Sequence, residues 1–146
     1  MFITVFLTVL SGVLVFVLGQ IFSKFFIEPI YEQKEIKGKI SDALIFYANL
    51  YTNPKLGNEF DRPKERGDAT LLFRNLACEL VSKTHMIPCY KYLSILQIVT
   101  KRKNIFDAHH DLIGLSNSMY PSDHTQTINN SRYRDNLEKT LNLMTK

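Results

Sequence analysis

Residues 2–23 read Phe-Ile-Thr-Val-Phe-Leu-Thr-Val-Leu-Ser-Gly-Val-Leu-Val-Phe-Val-Leu-Gly-Gln-Ile-Phe-Ser, with no charged side chain. At about 1.5 Å per residue, a helix over this run is roughly 33 Å long, enough to cross a hydrocarbon core of about 30 Å. Val, Ile, Leu and Phe each contribute about −0.3 to −0.6 kcal/mol near the middle of a bilayer helix, which outweighs the Thr, Ser and Gln positions. The run therefore predicts a transmembrane anchor within residues 1–27. A cleaved secretory signal needs a basic start, a shorter apolar core and a small-residue cleavage site; the run instead passes directly into Lys24-Phe25-Phe26-Ile27-Glu28. Thr4, Thr8, Gly12, Gly19 and Ser23 follow one another at separations of four, four, seven and four. A helix brings such positions near one face, where small residues let two backbones approach closely in lipid, so the anchor is expected to self-associate.

Past the anchor the pattern turns amphipathic. Ile36, Ile40, Ala43, Leu44, Tyr47 and Tyr51 recur at helical spacing, while Glu32, Lys34, Glu35, Lys37, Lys39 and Asp42 occupy the other faces. This predicts a membrane-exit helix over 28–53, bending or restarting at Glu28-Pro29. Asn53-Pro54 ends it, and 54–67 reads as a polar loop long enough to be functional or mobile. The next helix starts at Pro63 or Asp68 and runs to Lys83, with Ala69, Leu72, Phe73, Leu76, Ala77, Leu80 and Val81 as its apolar stripe. Ile87-Pro88 turns the chain into a helix over 89–100, with Tyr92, Leu93, Leu96 and Val99 inward and Lys101-Arg102-Lys103 at its end, where cations suit the helix dipole. Asn104 is placed to cap a helix over 105–117, with Ile105, Ala108, Leu112 and Leu115 inward. A polar connector leads to Ser131, and a last helix over 132–144 carries Tyr133, Leu137, Leu141 and Met144 along one seam. No run alternates with a strand period. The expected fold is all-α: one N-terminal transmembrane helix, then a small cytoplasmic helical bundle over 68–146, with 28–146 as one domain.

Charge sets the orientation. The chain carries a net charge of +4, and Lys24, Lys34, Lys37 and Lys39 all lie on the carboxyl side of the anchor. The positive-inside rule then leaves the amino terminus outside and the rest in the cytoplasm. Lys24, Lys34, Lys37, Lys39, Lys101, Arg102 and Lys103 form a basic set suited to anionic membrane lipid, and no specific nucleic acid is expected. Cys78 and Cys89 have no Cys-x-x-Cys spacing, and in a reducing compartment they read as core or half-buried thiols.

Little in the chain suggests catalysis. Asp107-Ala108-His109-His110-Asp111 is the best metal candidate, because Asp107 and His110 are three apart on a helix, but no third ligand follows and His85 and His124 lie far off in turns. Neither cysteine has the glycine-rich turn or base motif of a nucleophile, and no phosphate-cradling or dinucleotide fingerprint occurs. The expectation is a protein that is not an enzyme, with no catalytic residue, no metal and no cofactor. Asn49, Arg74 and Asn117 read as hydrogen-bonding staples at helix ends, with a plain surface arginine as the alternative for Arg74.

The blocks Leu18-Gly19-Gln20, Glu28-Pro29-Ile30, Leu44-Ile45-Phe46-Tyr47-Ala48-Asn49, Arg74-Asn75-Leu76-Ala77, Ile87-Pro88-Cys89-Tyr90 and Leu112-Ile113-Gly114-Leu115-Ser116-Asn117 resemble uncharacterised small bacterial single-pass membrane proteins, some of them found near phage-defence genes. The resemblance implies a bacterial inner-membrane component or effector that responds to infection. Two functions are compatible with all of this. One is a membrane-anchored interaction or effector module acting as a homo-oligomer. The other is an adaptor that recruits a soluble cytoplasmic protein partner.

Overall fold

The computed structural model describes residues 2–52, 63–120 and 126–143. They are helical, with no strand among them: α1 (Phe2–Phe22), a π-helical turn (Ser23–Ile27), α2 (Glu28–Phe46), α3 (Ala48–Thr52), α4 (Pro63–His85), α5 (Tyr90–Ile95), α6 (Arg102–Asn117) and α7 (Gln126–Leu141). From Phe2 to Phe46 the backbone is one unbroken helix. Pro29 should disrupt it, because proline has no N–H to donate and its ring crowds the carbonyl four residues back. The π turn resolves the conflict. The Glu28 N–H reaches five residues back to the Ser23 carbonyl, which widens the helix by one residue just before the proline. Ile27 keeps helical dihedrals and makes no capping side-chain bond, so the helix does not restart at Glu28-Pro29.

Four helices build the core. α4 packs against both α2 and α6, α7 packs against α6 and touches α2, and α3 closes onto α7. Ile36, Ile40, Ala43 and Leu44 of α2 meet Ala69, Phe73, Leu76, Ala77 and Leu80 of α4; Ile105, Ala108, Leu112 and Leu115 of α6 and Leu137 and Leu141 of α7 complete the cluster. These are the positions that helical spacing selects, apart from Leu72, which is exposed, and Tyr47, Val81 and Tyr133, which are half-buried. α2 and α4 run antiparallel: Lys83 near the end of α4 pairs with Glu32 near the start of α2 at 3.0 Å, while Phe73 meets Tyr47 at the other end.

The remaining helix boundaries differ from the sequence expectation. α4 begins at Pro63, the earlier of the two candidate starts, so residues 63–67 are helical; residue 53, the expected end of the membrane-exit helix, and residues 54–62 of the expected loop lie outside the described residues. α7 begins at Gln126, inside the expected connector, and Met144 of its seam lies outside the described residues, as does His124.

The largest correction concerns residues 89–100. Cys89 enters α5 with φ 51°, and Gln97 leaves it with φ 58°. The Ile98 N–H returns to the Leu93 carbonyl at 3.0 Å, closing a left-handed stop of the kind glycine usually supplies. With the helix reduced to residues 90–95, the 3.6-residue period does not extend to Val99. Tyr90 and Leu93 turn inward, while Tyr92 is 69% and Leu96 67% exposed.

Lys101-Arg102-Lys103 consequently opens α6 rather than closing the previous helix. Lys101 takes the N-cap position without a side-chain cap bond, and Asn104 lies inside the first turn, where its Nδ2 donates to the Thr140 carbonyl of α7 at 3.1 Å. Both cysteines are exposed thiols rather than core or half-buried ones: Cys78 lies off the inward face of α4, and Cys89 sits in the turn before α5.

Candidate functional site

Thr4, Thr8, Gly12 and Gly19 of the expected anchor lie along one side of α1, which meets the π turn where Phe22 stacks on Phe26. At about 100° per residue, Thr4, Thr8, Gly12 and Gly19 fall within an arc of about 80°, and Ser23 begins the π turn. Thr8 Oγ1 donates to the Thr4 carbonyl at 2.8 Å, which leaves no hydroxyl proton of Thr8 seeking a partner. A Cβ built on Gly12 or Gly19 would meet no atom within 4 Å. No residue of α1 is buried.

The seven predicted basic residues do not form one patch. Lys24 stands exposed beside the anchor, and Lys39 pairs with Glu35 one turn back at 2.9 Å. That hydrogen bond, and the carboxylate charge behind it, raises the Lys39 pKa. Arg102 lies over the Tyr90 ring, 5.6 Å from its centroid. Lys103 faces a second groove shared with Asp107, His110, Asp111 and Asn136.

Lys34, Lys37 and Lys101 instead converge with Lys139 on a cleft of about 680 Å³ between the start of α2, the turn after α5 and the end of α7, and among the described residues no acidic side chain lines it. Lys34, Lys101 and Lys139 make no ion pair among the described residues. Lys37 donates to Thr100 Oγ1 at 3.3 Å; burial, and then the charge of Lys34, lowers its pKa. The uncapped start of α6 adds the positive end of a helix dipole to the same corner. Such a cleft suits an anion.

Lys139 was not among the expected basic residues, since nothing local in the sequence connects it to Lys34. The polar groups that hold this end together are also long-range. Buried Gln33 donates to Thr84 Oγ1 at 2.9 Å and to the Tyr90 hydroxyl at 3.1 Å, and that hydroxyl donates to the Thr100 carbonyl. Of the expected staples, Arg74 joins Asn117 at 2.8 Å and Ser116 at 3.3 Å, but on the surface, and Asn49 is exposed.

No group of three or more His, Cys, Asp or Glu among the described residues could hold a metal ion. Asp111 is the one ionisable member of the Asp107–Asp111 run that is buried, and burial raises its pKa above the usual 3.8, with His110 acting in the opposite direction. Below 3.8 the carboxyl is protonated whether the chain is folded or not. As pH rises through the raised folded value, the ionised form must be held in a poorly hydrated place and folding stability falls. Asp111→Asn, measured by urea denaturation, is therefore expected to be more stable than the parent near neutral pH and to lose that advantage in acid. An advantage that is the same at both pH values would contradict this assignment.

No known protein family, curated protein or solved structure matches this chain.

Proposed function

We propose that this protein is a single-pass bacterial inner-membrane module that acts by self-association through α1, with its helical bundle on the cytoplasmic side. The observation that carries the reading is a 21-residue apolar helix with no buried residue, joined without a break to a folded bundle. Apolar surface of that extent is unfavourable in water by about 25 cal/mol per Å² and is relieved by lipid or by another anchor. The lysines that follow α1 support the orientation. The small-residue arc supports close approach of two anchors, and the resemblance to proteins near phage-defence genes makes infection the natural trigger to assay.

Replacing Gly12 and Gly19 by Leu should preserve membrane insertion, since Leu is favourable in the bilayer, while filling the space a second backbone would use. Chemical crosslinking in membranes is expected to give oligomers for the parent and only monomer for Gly12→Leu/Gly19→Leu. Unchanged oligomers in an inserted variant would refute assembly through this face.

The basic cleft favours one alternative, an adaptor that binds an acidic segment of a soluble partner near the membrane. In that case an unrelated membrane helix in place of α1 would retain full activity, whereas self-association through α1 requires its loss.

A further inference from the structure

We infer that residues 86–98 form a second membrane contact, a collar that docks on the lipid interface beside the anchor. Helical spacing assigns Tyr92 and Leu96 to the core, and the fold turns both out. Met86, Tyr92, Ile95, Leu96 and Ile98 are 56%, 69%, 69%, 67% and 43% exposed within one short segment. Beneath them, Ile87, Tyr90, Val99 and Leu93 pack on Ile30, two residues beyond Glu28 at the end of the π turn. At about 1.5 Å per residue, Ile30 stands roughly 9 Å past Lys24, the first charge after the anchor, which places the collar at the level of the lipid headgroups.

The local charge fits the same occupant. Ile87, Tyr92 and Ile95 line an apolar groove of about 610 Å³ whose rim carries Lys91 and Arg102, with no acidic residue among the described residues of its lining. Apolar side chains set into the acyl boundary under cations that meet anionic headgroups is the arrangement by which amphipathic segments lie on membranes. Tyr90 of the collar accepts from Gln33, and just before the collar Thr84 accepts from Gln33 and Lys83 pairs with Glu32, so the segment is tied to the base of α2. This inference rests on α1 spanning a bilayer, and the test separates the two claims.

The chain has no tryptophan, so a single introduced indole is an unambiguous reporter. Full-length Ile95→Trp, Tyr92→Trp, Phe22→Trp and Ile128→Trp are reconstituted in vesicles of phosphatidylcholine and phosphatidylglycerol brominated in the upper acyl chain. Phe22 reports the end of the anchor; Ile128 is exposed on α7, two residues from the Asn130 that bonds to Tyr51 at the end of the bundle away from the anchor. The expected result is quenching at Ile95→Trp and Tyr92→Trp comparable to Phe22→Trp and several-fold above Ile128→Trp. Quenching at Phe22→Trp with both collar positions at the Ile128→Trp level would overturn the collar and leave the anchor standing. Absence of quenching at Phe22→Trp would remove the anchor and the collar together.

Discussion

Phe73→Ala is expected to destabilise the bundle by about 3–5 kcal/mol, the range for truncating a fully buried aromatic side chain. Phe73 is completely buried at the crossing of α2 and α4, and its ring meets Tyr47 edge-on with centroids 6.1 Å apart. The aromatic pair adds about 0.5–1.5 kcal/mol to the area term, and neighbouring backbone on two long helices can close only part of the cavity. Against a total stability of about 5–15 kcal/mol for a domain of this size, the loss is a large share. Urea unfolding of the full chain in detergent, followed by far-ultraviolet circular dichroism, gives the measurement. α1 stays helical in the micelle, so the bundle appears as a partial transition whose midpoint falls steeply. A shift equivalent to less than about 1 kcal/mol would mean that the α2–α4 crossing is not where the core lies.

The second expected result is a change of sign at Gly114. A Cβ there would stand 2.7 Å from Cζ and 2.9 Å from both Cε atoms of Tyr133, because the tyrosine ring of α7 rests directly on the α6 backbone. Gly114→Ala gains about 1 kcal/mol of helix propensity but forces the ring aside, and such overpacking costs about 1–3 kcal/mol. The net effect in the parent is destabilisation by up to about 2 kcal/mol. In a Tyr133→Ala background the obstruction is gone, and the same substitution should stabilise by about 1 kcal/mol. Equal effects in the two backgrounds would show that the α6–α7 contact is not made through this pair.

Much of this architecture was legible in the sequence, and the exceptions have physical causes. The long apolar helix α1 stood out by its uninterrupted apolar run, and the inward faces of α2, α4 and α6 because each holds one helical period for several turns, as with Ile36, Ile40, Ala43 and Leu44. The period misled over 89–100, since Cys89 and Gln97 adopt left-handed backbone that their residue types do not advertise, and each such residue rotates everything after it. Asn104 looks like a cap in one dimension, yet its partner is the Thr140 carbonyl, 36 residues away. The same holds for the candidate sites. The small-residue arc is local and could be listed from spacing alone, whereas the basic cleft needs Lys34 and Lys139, which lie far apart in the sequence. Gln33 and Asn130 were not anticipated for the same reason, since Asn130 Nδ2 reaches the Tyr51 carbonyl at 2.8 Å across 79 residues.

The π turn has a mechanical consequence. A flexible linker after α1 would let the bundle swivel independently of it, but a single rod from Phe2 to Phe46 does not. Each residue advances the helix by about 100°, so the azimuth of Gly12 and Gly19 relative to the lysine cleft is fixed by the residue count between them, with the widened turn setting the phase. Two anchors meeting along their glycines would bring their bundles together on one fixed heading, and a single residue inserted between Ser23 and Glu28 would point them elsewhere without altering either end.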